Sequence, residues 1–355
     1  MKNSLKNRAR AVSLFLVGLL LFLPAGQVRV RALNASVGSD ANEVRMVLPG
    51  GDPFGVELQT KGVLIVGTSA VDCPGKDVSP AAKADVKAGD ILLSIDGVEL
   101  KGAADAVRRI ADSEGRTVRL SLSRQGMVRQ VELTPVESES EHTWKAGMWV
   151  RDHTAGIGTV TYYIPETGGF SGLGHGICDS DTGVLMPLSR GSVMQVKISG
   201  IRKGAKGAPG ELRGYFSSGK MGSLIGNTRC GVYGVLTRLP EYKKQDLIPI
   251  AAPAEIKEGE AIIRCTVDGN GIRDYHVKII KLCGGEKNGK NFVLEITDPS
   301  LIQKTGGIVQ GMSGSPVIQN GKLVGAVTHV LLDDPTRGYG IYIENVLAKM
   351  PKIIG

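Results

Sequence analysis

A mainly β protein of two domains is what this sequence predicts, and three observations carry that reading. Glycine supplies 49 of the 355 residues, about twice the usual ~7%, which implies many tight turns. Apolar residues recur in short runs, often alternating with polar ones and broken by glycine, which is the pattern of strands. Helical spacing is confined to Ala103–Ala111 and to Ile343–Met350 near the end. With 42% hydrophobic and 22% charged residues the chain can bury real cores, so wholesale disorder, collagen and coiled coil are excluded.

The chain opens on a targeting segment. Lys2, Lys6, Arg8 and Arg10 precede the apolar run Ala11–Leu23, which stops at Pro24. Thirteen residues suit the apolar stretch of a signal peptide better than a membrane span of ~20. Residues 1–31 are therefore expected to be a signal peptide or, continuing through Val28, a membrane anchor, followed by a polar linker over 32–44. The chain is expected to be exported, then released or tethered. Residues 1–31 also hold six basic side chains and no acid. The remainder carries 37 basic against 35 acidic residues, which is not the footprint of a nucleic-acid-binding protein. Cys73, Cys178, Cys230, Cys265 and Cys283 form no C-x-x-C pair, so no zinc site or dense disulfide framework is indicated, and no metal or organic cofactor is expected.

A first compact segment spans residues 45–136. It contains Val63–Val66, Ile91–Ile95, the Ala103–Ala111 helix, and two alternating runs around Gln125-Gly126 that predict a β-hairpin. Lys87-Ala88-Gly89-Asp90-Ile91-Leu92-Leu93-Ser94-Ile95-Asp96-Gly97 resembles the core motif of PDZ domains. Pro53-Phe54-Gly55-Val56-Glu57-Leu58 resembles that family's carboxylate-binding loop and peptide-accepting strand. The resemblance implies that Phe54, Gly55 and Val56 offer backbone N–H groups to a chain-terminal carboxylate, with a peptide added along the next strand edge. Glu137, Glu139 and Glu141 mark residues 137–143 as a solvated linker.

From residue 144 to 355, short strand-like runs alternate with glycine turns, the spacing of a sandwich or barrel. Gly311-Met312-Ser313-Gly314-Ser315-Pro316 places a serine on a glycine-flanked turn, where the N–H groups of Gly311 and Ser313 can face a developing oxyanion. A hairpin then brings Thr328 and His329 beside that turn. The segment resembles the nucleophile region of chymotrypsin-like serine peptidases, in which the strand at Thr328–Val330 pairs with substrate. Ser315, before Pro316, is the rival nucleophile and fits a structural role. A serine nucleophile needs a base. Of His142, His153, His175, His276 and His329, the one in Gly174-His175-Gly176 has room to turn and precedes the serine by a barrel's length of chain. His329 is the competitor, assigned to the substrate side. For the acid, Asp298 lies in the order His…Asp…Ser, only fifteen residues before the serine, while Asp179, Asp181 and Asp246 stay open.

Over Trp144–Tyr342 the chain resembles the SpoIVB peptidase family of endospore-forming bacteria. Carrying the resemblance are Gly147-Met148-Trp149-Val150-Arg151-Asp152, Ala155-Gly156-Ile157-Gly158-Thr159, Gly174-His175, Thr305 to Pro316, and Asp333-Asp334-Pro335-Thr336-Arg337-Gly338-Tyr339-Gly340. The leader–PDZ–peptidase order matches too. The resemblance implies a PDZ domain followed by a chymotrypsin-like double β-barrel, with His175, Asp298 and Ser313 as catalytic residues. It further implies a sporulation role in the space between the two forespore membranes. There the enzyme would cleave the regulatory subunit of an intramembrane metalloprotease complex, triggering processing of a mother-cell sigma-factor precursor, and would cleave itself. The PDZ groove would hold a peptide C-terminus or the chain's own N-terminal region. An HtrA-type quality-control protease is disfavoured by domain order. A non-catalytic PDZ scaffold is the alternative of another class.

Overall fold

The computed structural model describes residues 45–284 and 289–352; the expected leader and first linker lie outside them. β1 (Met46–Pro49) leads to a 16-residue strand, β2 (Pro53–Thr68), whose two halves belong to different domains. The second half enters a small domain built from α1 (Pro80–Lys83), β3 (Ile91–Ile95), β4 (Val98–Glu99), α2 (Ala103–Ala111), β5 (Val118–Arg124) and β6 (Met127–Leu133). The helix read at Ala103–Ala111 buries Ala106 and Ile110 against Val63, Ile65, Leu92, Leu120 and Leu122. At about 1.5–3 kcal/mol for each fully buried large aliphatic side chain, this cluster is a substantial core separate from those of the barrels. β7 (Val136–Glu137) and β8 (Trp144–Lys145) then pair with each other.

The residues between β7 and β8 correct the expected interdomain linker. Residues 137–143 fold back as a closed turn, with Ser138 N–H donating to Thr143 O and His142 N–H to Ser138 O. Asp72 accepts from Ser138 Oγ and Ser140 N–H. Those hydrogen bonds hold the Asp72 carboxyl well below the usual carboxylate range. The acidic side chains are solvated, but their backbone is committed to the small domain.

The chain leaves this domain along β9 (Met148–Ile164), which runs antiparallel to β2 for nearly its whole length. β10 (Gly169–Gly172), β11 (Leu188–Arg202), β12 (Glu211–Thr228) and β13 (Gly231–Leu236) follow. The pairings β9–β10–β13–β12–β11–β2 return to β9 and close a six-stranded ring. The small domain is therefore an insertion between two strands of the first barrel, not a tandem unit preceding it. The physical reason is register: Gln59 pairs with His153 and Leu64 with Arg151, so residues 53–59 lie in the barrel and 63–68 in the insert.

That register also overturns the role expected of Phe54, Gly55 and Val56. All three are strand residues of the first barrel, paired with Gly158, Ile157 and Gly156. Phe54 and Val56 are buried beside Phe170 and Leu173, and the Phe216 ring packs on the Gly55 Cα so closely that a Cβ would sit 2.6 Å from it. They form no carboxylate loop.

β14 (Ile248–Pro249) precedes a second, closed six-stranded barrel. It is formed by β15 (Gly259–Cys265), β16 (Arg273–Leu282), β17 (Phe292–Ile296), β18 (Pro316–Gln319), β19 (Lys322–Leu331) and β20 (Asp334–Tyr342). α3 (Pro299–Thr305) links β17 to the serine turn, and α4 (Ile343–Leu347) follows β20. Between the barrels Tyr162 and Tyr233 pack with Ile318, Leu323, Ile341 and Val346, and Tyr233 donates to Val346 O at 2.6 Å. The architecture is the double barrel of chymotrypsin-like peptidases. The cysteines are all unpaired, with Cys230 and Cys265 buried.

Candidate active site

The serine turn sits where the barrels meet, and β9 holds it from below. Thr159 N–H donates to Ser313 O at 2.9 Å, Thr159 Oγ1 to Gly311 O at 2.8 Å and Thr161 Oγ1 to Gly314 O at 2.8 Å. The approach is so close that a Cβ on Gly314, whose φ is +97°, would lie 2.0 Å from Thr159 O; only glycine fits. With its carbonyls drawn toward β9, the turn leaves two donors free. Among the described residues neither Gly311 N–H nor Ser313 N–H has an acceptor, whereas Met312, Gly314 and Ser315 all donate within the fold. Ser313 Oγ donates to Thr328 O at 2.7 Å. Ser315 is fully buried and donates to Met312 O, which gives it the structural role.

His175 follows β10 on a turn made by two successive left-handed residues, Leu173 (φ 67°) and Gly174 (φ 65°). A non-glycine residue in that region is strained, and such strain is concentrated at functional turns. The Gly174 Cα backs directly onto Thr328 and Ala326, so His175 emerges beside the strand that receives the Ser313 hydroxyl. Its ring stands 5.1 Å from that of His329, centroid to centroid, and its Nδ1 is 3.0 Å from Gly176 O. Burial pushes the His175 pKa below the usual 6.5, against the Gly176 bond, which raises it. His329 is lowered to about 4 by burial, then by His175 and Lys290. Both imidazoles are thus neutral at pH 7.

The carboxylates weighed for the triad are elsewhere. Asp298 is the N-cap of α3, its Oδ1 accepting from Ser300 N–H, Ser300 Oγ and Leu301 N–H and its Oδ2 from His276 N–H. Burial raises its pKa, but those bonds outweigh burial and leave it below the ordinary value. No hydrogen bond or ion pair joins it to His175. Asp179 and Asp181 both pair with Arg151, and Asp246 accepts from Lys243 N–H.

The SpoIVB peptidase S55 profile matches residues 142–347, more than half of the chain, and a PDZ-domain profile matches 74–124. The chain belongs to the SpoIVB peptidase S55 family. It is a serine endopeptidase. Among solved structures, the PDZ domain of an SdrC-like protein from Listeria monocytogenes is 23% identical over 25% of this chain and 87% of that one, with a TM-score of 0.22. The Rv3671c protease of M. tuberculosis in its active form is 15% identical over 55% and 73%, with a TM-score of 0.33. The HtrA-type protease AlgW with a decapeptide is 10% identical over 84% and 63%, with a TM-score of 0.33. Those overlaps are too slight to bear on function.

In this SpoIVB-family peptidase the cleft of the PDZ insert lies between α2 and the first residues of β9. It measures about 550 Å³ and is lined by Val71, Ala106, Val107, Ile110, Trp144 and Trp149 among others. Met148–Arg151 pair with β2 on one side only, so their other edge faces α2. At the mouth, Ala146 O and Gly147 O accept from Ala81 and Ser69, while the Ala146 and Gly147 N–H groups donate to no acceptor among the described residues. The cleft thus combines a strand edge, a helix and two free N–H groups, and Phe54–Val56 supply none of them. Among the described residues no helix is long and apolar enough to cross a membrane.

Proposed function

We propose that Ser313 is the nucleophile and His175 the base of a signalling peptidase that acts during spore formation. The observation carrying the reading is the pair of free N–H groups on Gly311 and Ser313, on the same turn whose serine hydroxyl donates to Thr328 O, the residue against which the turn before His175 packs. Attack requires the Ser313 hydroxyl to turn from Thr328 O to His175, which frees that carbonyl for the substrate strand; catalytic hydrogen bonds are often incomplete without substrate. Ser313 Oγ then bonds to the scissile carbonyl carbon as its proton passes to His175 Nε2. The Gly311 and Ser313 N–H groups stabilise the oxyanion. The C–N bond breaks, the proton goes to the leaving amine, and water hydrolyses the acyl-serine by the same route.

The family relationship supports a substrate that is the regulatory subunit of an intramembrane metalloprotease complex, with self-cleavage and a site of action between the forespore membranes. The cleft between α2 and β9 would take a peptide C-terminus, the partner's or one from self-cleavage. The test is fluorophosphonate labelling of the purified protein. Wild type labels, while Ser313→Ala does not and His175→Ala labels slowly, and each loses about 10⁴–10⁶-fold in turnover. Label on Ser313→Ala protein, or proteolysis by it at the wild-type rate, refutes the assignment.

A further inference from the structure

β19 is paired by β18 as far as Ala326, and Val327 is bonded to the serine turn through Ser315 O and Gly314 N–H. Over residues 328–331 β20 covers one edge of the strand, and the other has no strand beside it among the described residues. Side chains alternate along this stretch. Thr328 is buried and Val330 packs on the core of the second barrel, so His329 faces the other way, toward His175. Beyond His329, β20 places Tyr339 directly opposite it. Lys290 Nζ lies 4.9 Å from the centre of the Tyr339 ring, a cation over an aromatic face. His175, His329, Tyr339 and Lys290 thus form a row leading outward from the serine.

Lys290 is exposed, yet its backbone is pinned on both sides. Gly289 O accepts from Thr328 Oγ1 at 2.7 Å, and a Cβ on Gly289 would lie 4.0 Å from His329 Cε1. Asn291 is fully buried, its N–H donating to Gly340 O and its Oδ1 accepting from Tyr342 N–H and Asn345 Nδ2. The ammonium is therefore delivered to the open strand edge by construction. Among the described residues no carboxylate forms an ion pair with it, and none acts on either imidazole.

We propose that Lys290 makes the peptidase select a glutamate as the second residue before the scissile bond. The proposal rests on the assignment of His175 and Ser313 above. A substrate laid antiparallel on residues 328–331, with its scissile carbonyl at Ser313, sets the residue before that bond opposite Thr328 and the second one opposite His329. Directly opposed residues share a face of the sheet, so the second side chain lies over His329 and the first does not. Lys290 stands on the far side of that ring, and neighbouring strands are about 4.8 Å apart, so glutamate meets the ammonium more readily than the shorter aspartate. The contact displaces no resident acid and supplies the counter-charge that the fold leaves out.

The test measures how fast the purified protein is labelled by two peptidyl diphenyl phosphonates with alanine at the reactive position, differing only in glutamate or glutamine before it. Such probes bond to a serine nucleophile as phenol leaves, and they do not require the natural scissile sequence. The glutamate probe should label wild type about fivefold faster, near the upper end for an exposed ion pair, and the ratio should shrink toward one in about 1 M salt. In Lys290→Met the ratio should fall to about one, and in Lys290→Glu a probe with lysine at that position should overtake the glutamate probe. Equal rates in wild type, absence of labelling by both probes included, overturn the proposal, as does an unchanged ratio in Lys290→Met. If neither variant folds, the wild-type ratio decides: a preference lost in salt supports the proposal, and one that salt leaves unchanged overturns it. Failure of a small fluorophosphonate to label Ser313 would instead remove the underlying assignment, so the two failures are distinguishable.

Discussion

A carboxylate just before a helix meets the free N–H groups of the first turn, and Asp298 accepts two of them. Asparagine caps about as well as aspartate. Asp298→Asn should therefore lower stability by no more than about 1 kcal/mol and keep turnover per folded molecule, whereas Asp298→Ala should cost about 1–2 kcal/mol. A fall of about 10⁴ in kcat for the asparagine variant would return Asp298 to the triad. Because its folded pKa is depressed, the carboxylate's contribution is present above the ordinary carboxylate pKa and fades as pH falls through the folded value. The turns that carry Ser313 and His175 were readable from sequence because glycines beside them announce chain reversals that expose a side chain. The tie between Asn227 and the chain after His175 was not, since its partners lie 50 and 41 residues away and nothing local separates it from any other asparagine in a strand.

Elements whose pattern is self-contained were legible to the residue. Ala103–Ala111 alternates its buried and exposed positions at helical spacing and forms there. The hairpin of β5 and β6 turns at Gln125-Gly126, both at positive φ. Residues 53–58 show where such reading stops, since a strand entering a barrel and one bordering a peptide cleft share the same two-residue period. Only pairing with β9 and β11 decides between them. At the cleft proposed to take the peptide, Val107 on α2 is 62% exposed, so Val107→Glu should leave folding within about 0.5 kcal/mol. It should also weaken binding of a peptide with an apolar C-terminal residue at least about tenfold, a loss of ~1.4 kcal/mol. Trp144 and Trp149 are the two tryptophans of the sequence and both line this cleft, so intrinsic fluorescence can follow the titration. Unchanged affinity in Val107→Glu would place the peptide elsewhere.

The described residues form two barrels with a domain let into one of them. Gln59 and His153 are paired across β2 and β9, so replacing residues 60–152 by a two-residue Asn-Gly turn should close an ordinary hairpin. The expected product is a folded double barrel that still reacts with fluorophosphonate at Ser313 but has lost its peptide cleft. An unfolded product would show that the barrels depend on the insert. Sequence alone suggested domains in series, because chain order cannot reveal that the strand leaving an insert pairs with the one that entered it. The same topology means that the insert is attached at two points, and a break in one connection does not release it. A protease that nicks an exposed turn of the insert, such as the one around Gly75, would separate β1 and β2 from the remaining chain covalently while both stay paired in the sheet. Such a cut would give two bands on a denaturing gel and a single peak on a sizing column.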